Sequence, residues 1–328
     1  MAIGFSKMIE DLPDPSASQD DKPRHASYMT FMASPFAYLP HRAILSLTGP
    51  DTITLLERLV THATNDWAQD ETRYGALLTP QGKVLADYLA IRTRDGVLLD
   101  VSDTQIDDLA KRLKMFRLRS QVDIERLDDV SIIAGLDEAS EGVREIPGAQ
   151  HVYLDPRIPG GRLRGLITKE RGALEHDGLP AEWSQPIAAY HADRIAHGIP
   201  EQGFDFGQAD AFPADINMDI LGGVALNKGC FVGQEVVSRM HRRGQIRKRT
   251  LTVRLAAGAT AEPGTDLHAP APIGNVTSAQ EAQALARLRI DRWLKAEADG
   301  MPVLLDETPV TIEKPDWLIA EQRAKEES

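Results

Sequence analysis

Residues 226–249, LNKGCFVGQEVVSRMHRRGQIRKR, hold the densest set of groups able to do chemistry in this 328-residue chain. Cys230, the only cysteine, lies between Gly229 and Gly233 and just before a helical pattern that puts Val236, Val237 and Met240 on one side. Glycines carry no side-chain bulk and tolerate positive φ, so Gly229 and Gly233 would let backbone amides approach a ligand closely. A thiol beside a helix N-terminus and near the Lys228 ammonium is favoured as thiolate by both, which would make it a nucleophile or a redox-sensitive group. The competing reading is a small buried apolar side chain, the ordinary state of a lone cysteine. One cysteine also excludes an intrachain disulfide and a multi-cysteine zinc or cluster site within one chain.

Downstream, Arg239, Arg242, Arg243, Arg247, Lys248 and Arg249 cluster with His241 and no acid, in a chain of formal net charge −12 and pI near 5.3. Such an island suggests a bound anion, although each cation could equally complement a helix C-terminus. An RNA patch is a weaker reading, because the mean field of the chain repels phosphate; nucleic acid is not an expected partner. Asp87, within the apolar run VLADYLAI, is either a solvent-face residue or a buried acid that bonds a ligand nitrogen, and strand alternation favours the solvent face. The segment RIAHGIPEQGFDF, residues 194–206, contributes Arg194 and places acids after a helix stop. Signatures of the common nucleotide sites, serine hydrolases and zinc proteases are absent.

The elements that must position these groups read as α+β. AILSL from Ala43 predicts a strand feeding a helix that opens at Pro50. YGALLTP, VLADYLAIRT and VLLDVS, divided by Pro80-Gln81-Gly82 and Arg94-Asp95-Gly96, predict an antiparallel meander. TQIDDLAKRLKMFRLRS reads as a helix, QVDIERL as a strand and QPIAAYHADRIAHG as a second helix closed by Gly198. After residue 246, short runs broken by Pro and Gly predict a small β-barrel. The expected division is a flexible extension over 1–34, an α+β region of two intertwined modules over 35–245, the barrel over 246–320 and a tail over 321–328. With no run of about 18 apolar residues and no secretory signal, the reading is cytoplasmic, with no membrane partner.

KGCFVGQE at 228–235 resembles the K-G-C-F/Y-x-G-Q-E signature of the YgfZ family, which is related to the glycine-cleavage T protein. SLTGPD at 46–51, YGALLTPQGKVLADYL at 74–89, RIAHGIPEQGFDF at 194–206 and IGNVTSA at 273–279 extend the resemblance in order and spacing. It implies a T-protein-like fold, with antiparallel-sheet modules around a central channel that holds tetrahydrofolate and a C-terminal β-barrel. It further implies a role in assembling or maintaining iron–sulfur proteins, above all four-iron ones, with folate and iron–sulfur client or assembly proteins as partners. Matched residue by residue, Cys230 and Asp87 would be the reactive groups. Lys228, Gly229, Phe231, Gly233, Gln234, Glu235, Arg239 and Arg194 would be the cofactor contacts, with no resident metal. How one cysteine would act stays open between transient ligation alongside a partner's thiols and a mixed disulfide. Where many relatives read R-I-E-A-G, this chain has Ala196 in place of the acid that would meet the pterin ring. The alternative function is a tetrahydrofolate-dependent aminomethyl or other one-carbon transferase.

Overall fold

The structure, a computed structural model, describes residues 36–136, 146, 148–168, 186–242, 244 and 246–326. The expected extension over 1–34, residues 327–328 of the tail and Arg243 of the basic island lie outside them.

The meander forms as its turn chemistry predicts: β3 (Thr72–Leu78), β4 (Val84–Arg92) and β5 (Gly96–Ser102) pair antiparallel. With β2 (Arg42–Thr48) and β6 (Asp123–Leu127) they complete a sheet of order β3-β4-β5-β2-β6. Alternate side chains of this sheet enter two different cores. Leu45, Leu47, Leu99 and Val101 pack against α1 (Thr52–Leu59) and α2 (Ile106–Arg117). Ile44, Leu89, Ile91 and Leu98 face a second sheet. Helix α1 starts two residues after Pro50, because Asp51 stands at the N-cap and its carboxylate accepts the Gln121 N–H at 2.7 Å.

The second sheet has the order β1-β7-β9-β8, from β1 (Phe36–Tyr38), β7 (Val130–Gly135), β9 (Arg162–Thr168) and β8 (His151–Asp155). The chain thus enters this sheet first, builds the whole meander, then returns to finish it. Both faces of the first sheet are therefore covered, one by helices and one by a sheet. Helix α3 (Ile187–Ala196) ends at Gly198, whose φ of +67° suits its position after the last turn. Helix α4 (Gln234–Arg242) follows the cysteine loop and is closed by Gly244 at φ +58°. Of its expected buried side only Val237 is fully covered.

The C-terminal barrel closes in the order β10-β13-β12-β11-β14-β15. Its strands are β10 (Lys248–Arg254), β11 (Asp266–Ala269), β12 (Ala271–Gln280), β13 (Gln283–Arg289), β14 (Val303–Leu305) and β15 (Thr308–Ile312). Two helices absent from the sequence reading pack on it, α5 (Ile290–Ala298) and α6 (Asp316–Glu326). The α+β reading and the terminal barrel hold.

Candidate functional site

Cys230 is exposed, in the loop that leads into α4. Two glycines fix that loop to the meander. Gly233 has φ +81°, and a Cβ there would stand 2.6 Å from the Thr79 carbonyl oxygen and 3.0 Å from Gly82 Cα. Gly82 has φ +81° as well, and a Cβ on it would meet Val236 Cβ at 2.9 Å. The glycine of the β3–β4 turn and the glycine of the signature therefore pack backbone to backbone. Gly229 has no such need: a Cβ there would approach only Glu57 Oε1, at 3.8 Å.

Lys228 does not spend its ammonium on the thiol. Its Nζ donates to the Val60 and His62 carbonyl oxygens at 2.9 and 2.7 Å and lies 3.5 Å from Glu57 Oε2. Burial pulls the ammonium below the ordinary lysine range, with Glu57 opposing. Glu57 loses some carboxylate character to burial, but bonds from Thr64 and the Lys228 charge hold it below the usual carboxyl range. Lys228 thus stitches the cysteine loop to the end of α1. Beneath it His62, buried and bonded through Nδ1 to the Ala63 carbonyl, is pushed down to about 4 and stays neutral at pH 7. Phe231 anchors the loop in the inter-sheet core, under the Lys228 ammonium at 5.6 Å. Gln234 Nε2 reaches the Lys228 carbonyl at 3.4 Å, while Glu235 and Arg239 are exposed along α4.

Asp87 occupies different ground. It is 1% exposed, not on a solvent face, because the side of β4 that alternation assigns to water is covered by the second sheet. Tyr74 donates to its Oδ2 at 3.0 Å, while Oδ1 is buried without a partner. Burial raises its pKa, against the nearby charges of Arg42 and Arg157. Asp87 is buried between the sheets, whereas Cys230 is exposed to solvent in the loop before α4. The structure does not bring the thiol and this carboxylate together.

Around Asp87 runs an ionic lattice that the sequence reading missed, built where the sheets meet. Arg42 Nε donates to Asp100 Oδ1 at 2.7 Å, and Arg164 Nη1 donates to Asp100 Oδ2 at 2.7 Å. Arg164 Nη2 reaches Asp155 Oδ2 at 2.9 Å, and Arg157 holds the same carboxylate at 2.7 and 2.9 Å. Arg42 Nη1 and His41 Nε2 converge on Glu201 Oε1 at 3.3 and 3.1 Å, leaving Oε2 buried without a hydrogen bond. Arg194, expected as a cofactor contact, donates to Asp205 at 2.6 Å and to the Ile199 carbonyl. Asp205 in turn accepts from Thr277 and Ser278 of the barrel, both at 2.6 Å, so Arg194 helps fasten barrel to body. Burial opposes ionisation of Asp100 and Asp155, yet their arginines hold both below the usual range. A charged residue inside an apolar strand, as in GVLLDVS or GRLRGLIT, was the available signal, but no single strand names its partner across the sheets.

The basic island divides. Arg249 is fully buried, paired with Asp219 at 2.6 Å and Glu321 at 2.9 Å, and locks α6 to the barrel. His241 lies 3.4 Å from Asp219. Arg239, Arg242, Arg247 and Lys248 remain exposed. Ala196 is exposed at the end of α3, and the nearest buried acid along the chain is Glu201.

The architecture is that of the glycine-cleavage T protein. The crystal structure of glycine cleavage system aminomethyltransferase T from Bartonella henselae matches with a TM-score of 0.68, over 85% of this chain and 84% of that one, at 14% identity. At that identity the likeness concerns the fold. Residues 247–319 match the family model of the CAF17 C-terminal beta-barrel domain. In sequence, the chain is similar to the mitochondrial iron-sulfur cluster assembly factor IBA57 homologs. That of Mycosarcoma maydis is 32% identical over 245 residues, 70% of this chain and 59% of that protein. That of Coccidioides immitis is 32% identical over 238 residues, 66% of this chain and 56% of that protein. The chain therefore spans less than two thirds of the length of these relatives.

The cytoplasmic expectation is corrected by these matches, since the relatives are named as mitochondrial proteins. Its grounds were weak in physical terms. The absence of a long apolar run bears on membrane-spanning helices and the absence of a secretory pattern on secretion, and neither chooses among the remaining compartments.

Proposed function

We propose that this chain is an iron–sulfur cluster assembly factor of the YgfZ type, acting in the mitochondrial setting of its relatives, and that Cys230 is its working thiol. The observation that carries this reading is the exposed cysteine on a loop clamped from both sides, by the Gly82–Gly233 contact and by the Lys228 ammonium. Such a loop presents one sulfur to a partner in a fixed position while leaving it open to solvent. One thiolate cannot hold a cluster alone, so the partner's own thiols supply the remaining ligands. Cells depleted of the protein are expected to lose activity of a four-iron enzyme, measured in extracts and restored by expressing the chain. Undiminished four-iron activity after depletion would contradict the reading.

Tetrahydrofolate belongs to the same proposal. Asp87 Oδ1 is a buried acceptor with no donor, and Glu201 Oε2, ion-paired with Arg194 Nε at 3.6 Å, accepts no hydrogen bond; the amine and ring N–H groups along one edge of a pterin are donors of the right kind. When bound, tetrahydrofolate supplies a carrier for one-carbon units. Asp87, held by Tyr74, and Glu201, held by His41 and Arg42, would bind and orient its ring. Asp87→Asn is expected to weaken tetrahydrofolate binding at least about tenfold by calorimetry, the cost of one charge-assisted bond. It should leave thermal stability no lower, since burial already disfavours the Asp87 carboxylate. Unchanged affinity would remove Asp87 from the folate site.

A further inference from the structure

The end of α2 carries a feature that neither the cysteine loop nor the ionic lattice uses. Residues 111–119, KRLKMFRLR, hold five cations and no acid. Complementing the helix dipole accounts for cations in the last turn, but not for their apolar neighbours. Met115 is 60% exposed and Leu118 86%. Leu118 also stands at φ +49° and ψ −107°, a positive-φ backbone outside the left-handed helical well that costs a non-glycine residue about 1–3 kcal/mol and is open to glycine. A leucine is thus kept in water, in a conformation that suits it badly.

Beside it runs a groove of about 710 Å³, with Asp51, Thr54 and Arg58 along α1 on one wall and Phe116, Leu118 and Arg119 on the other. The Asp51 carboxylate accepts the Gln121 N–H and keeps its charge, against which the groove sets the guanidinium groups of Arg58, Arg117 and Arg119; Arg117 donates to the Val122 carbonyl, while Arg58 and Arg119 are exposed. On another side of α1, Glu57 meets Lys228 at 3.5 Å. An eight-residue helix is about 12 Å long, so the groove and the cysteine loop flank the same short helix.

We propose that this groove docks an acidic, partly apolar segment of the protein whose thiols meet Cys230. The proposal rests on the reading of Cys230 given above. Charge complementarity selects the occupant: carboxylates pair with Arg58 and Arg119 while apolar side chains cover Leu118 and Met115. An anionic bilayer would gain from the same cations, but a flat surface does not enter a groove walled by α1 and the end of α2.

The test is fluorescence anisotropy of a labelled peptide alternating glutamate and leucine, titrated with the full chain. Saturable binding is expected, weakened about tenfold by Arg58→Glu, by Arg119→Glu and by Leu118→Gly, as for central interface residues. Lys295→Glu, on the barrel, should leave it unchanged. Leu118→Gly is expected to keep its melting temperature, because relieved backbone strain offsets the extra freedom of the unfolded chain, so misfolding would not explain its loss of binding. Equal binding of a glutamine–leucine peptide, indifference to all three groove substitutions, or binding only to phosphatidylserine vesicles would overturn the proposal. Self-association of the chain through this face, seen as a mass doubled in sedimentation and abolished by Arg119→Glu, would overturn it too. Failure of the underlying reading looks different: Cys230→Ser would then support iron–sulfur enzymes in cells, with the peptide titration unaltered.

Discussion

Asp100→Ala is expected to cost about 3–5 kcal/mol of folding stability, a large share of the 5–15 kcal/mol typical of a whole protein. Asp100 is fully buried and accepts Arg42 Nε, Arg164 Nη1 and the Tyr153 hydroxyl at 2.7, 2.7 and 2.9 Å. Removing the carboxylate leaves two buried guanidinium groups each short of a charged partner. Arg42 keeps Glu201 and the Asp100 carbonyl, and Arg164 keeps Asp155, but neither has a spare carboxylate within the lattice. The loss falls on both sheets at once, because Arg42 stands on β2 and Arg164 on β9, so urea unfolding should stay a single, earlier transition. The sign with pH follows from the depressed pKa of Asp100: burial opposes ionisation, but the charges of Arg42 and Arg164 outweigh it. The stabilisation is therefore present above the ordinary carboxylate pKa and is lost as pH falls through the lower folded value. The gap between parent and variant should be full at neutral pH and close only below about pH 4. A variant within about 1 kcal/mol of the parent at pH 7 would show that water, not protein, already satisfies these arginines.

Much of this fold was legible residue by residue. Pro80-Gln81-Gly82 and Arg94-Asp95-Gly96 marked the meander turns, and Gly198 marked the end of α3, because glycine and proline restrict or release φ locally. Whatever depended on a second element was not legible. Asp87 follows the alternation of a half-exposed strand, yet its outer face is covered by a sheet whose strands arrive from residues 36–38 and 130–168. The lattice of Arg42, Asp100, Asp155, Arg157 and Arg164 joins strands up to 122 positions apart in chain order, from Arg42 to Arg164, and pairing at that separation leaves no local pattern. Helices α5 and α6 escaped because IDRWLKAEA and the segment from Asp316 lie among short strand-like runs that read as barrel throughout.

The signature loop shows the same division. Its motif identified Cys230, and the exposed position of that side chain discards the buried-cysteine alternative. Lys228 was expected beside the thiol, but an ammonium placed near two backbone carbonyls and Glu57 satisfies those first. Arg249, read as part of an anion site, is instead a buried strut between the barrel and α6, a role decided by Asp219 and Glu321, which lie 30 and 72 positions away in sequence. Six cations in a row of eleven residues look alike until their partners are known.

The central claim is that the sulfur of Cys230 does the work, and the most direct measurement is the activity of a four-iron enzyme in cells lacking this protein and complemented with either the intact chain or Cys230→Ser. Cys230 is exposed and makes no packing contribution that serine would forfeit, so the variant should fold and accumulate like the parent. The intact chain is expected to restore activity, and Cys230→Ser to restore almost none at equal protein level. Full rescue by Cys230→Ser would contradict that claim, and would move the function of this fold from the exposed thiol to the buried carboxylates of Asp87 and Glu201.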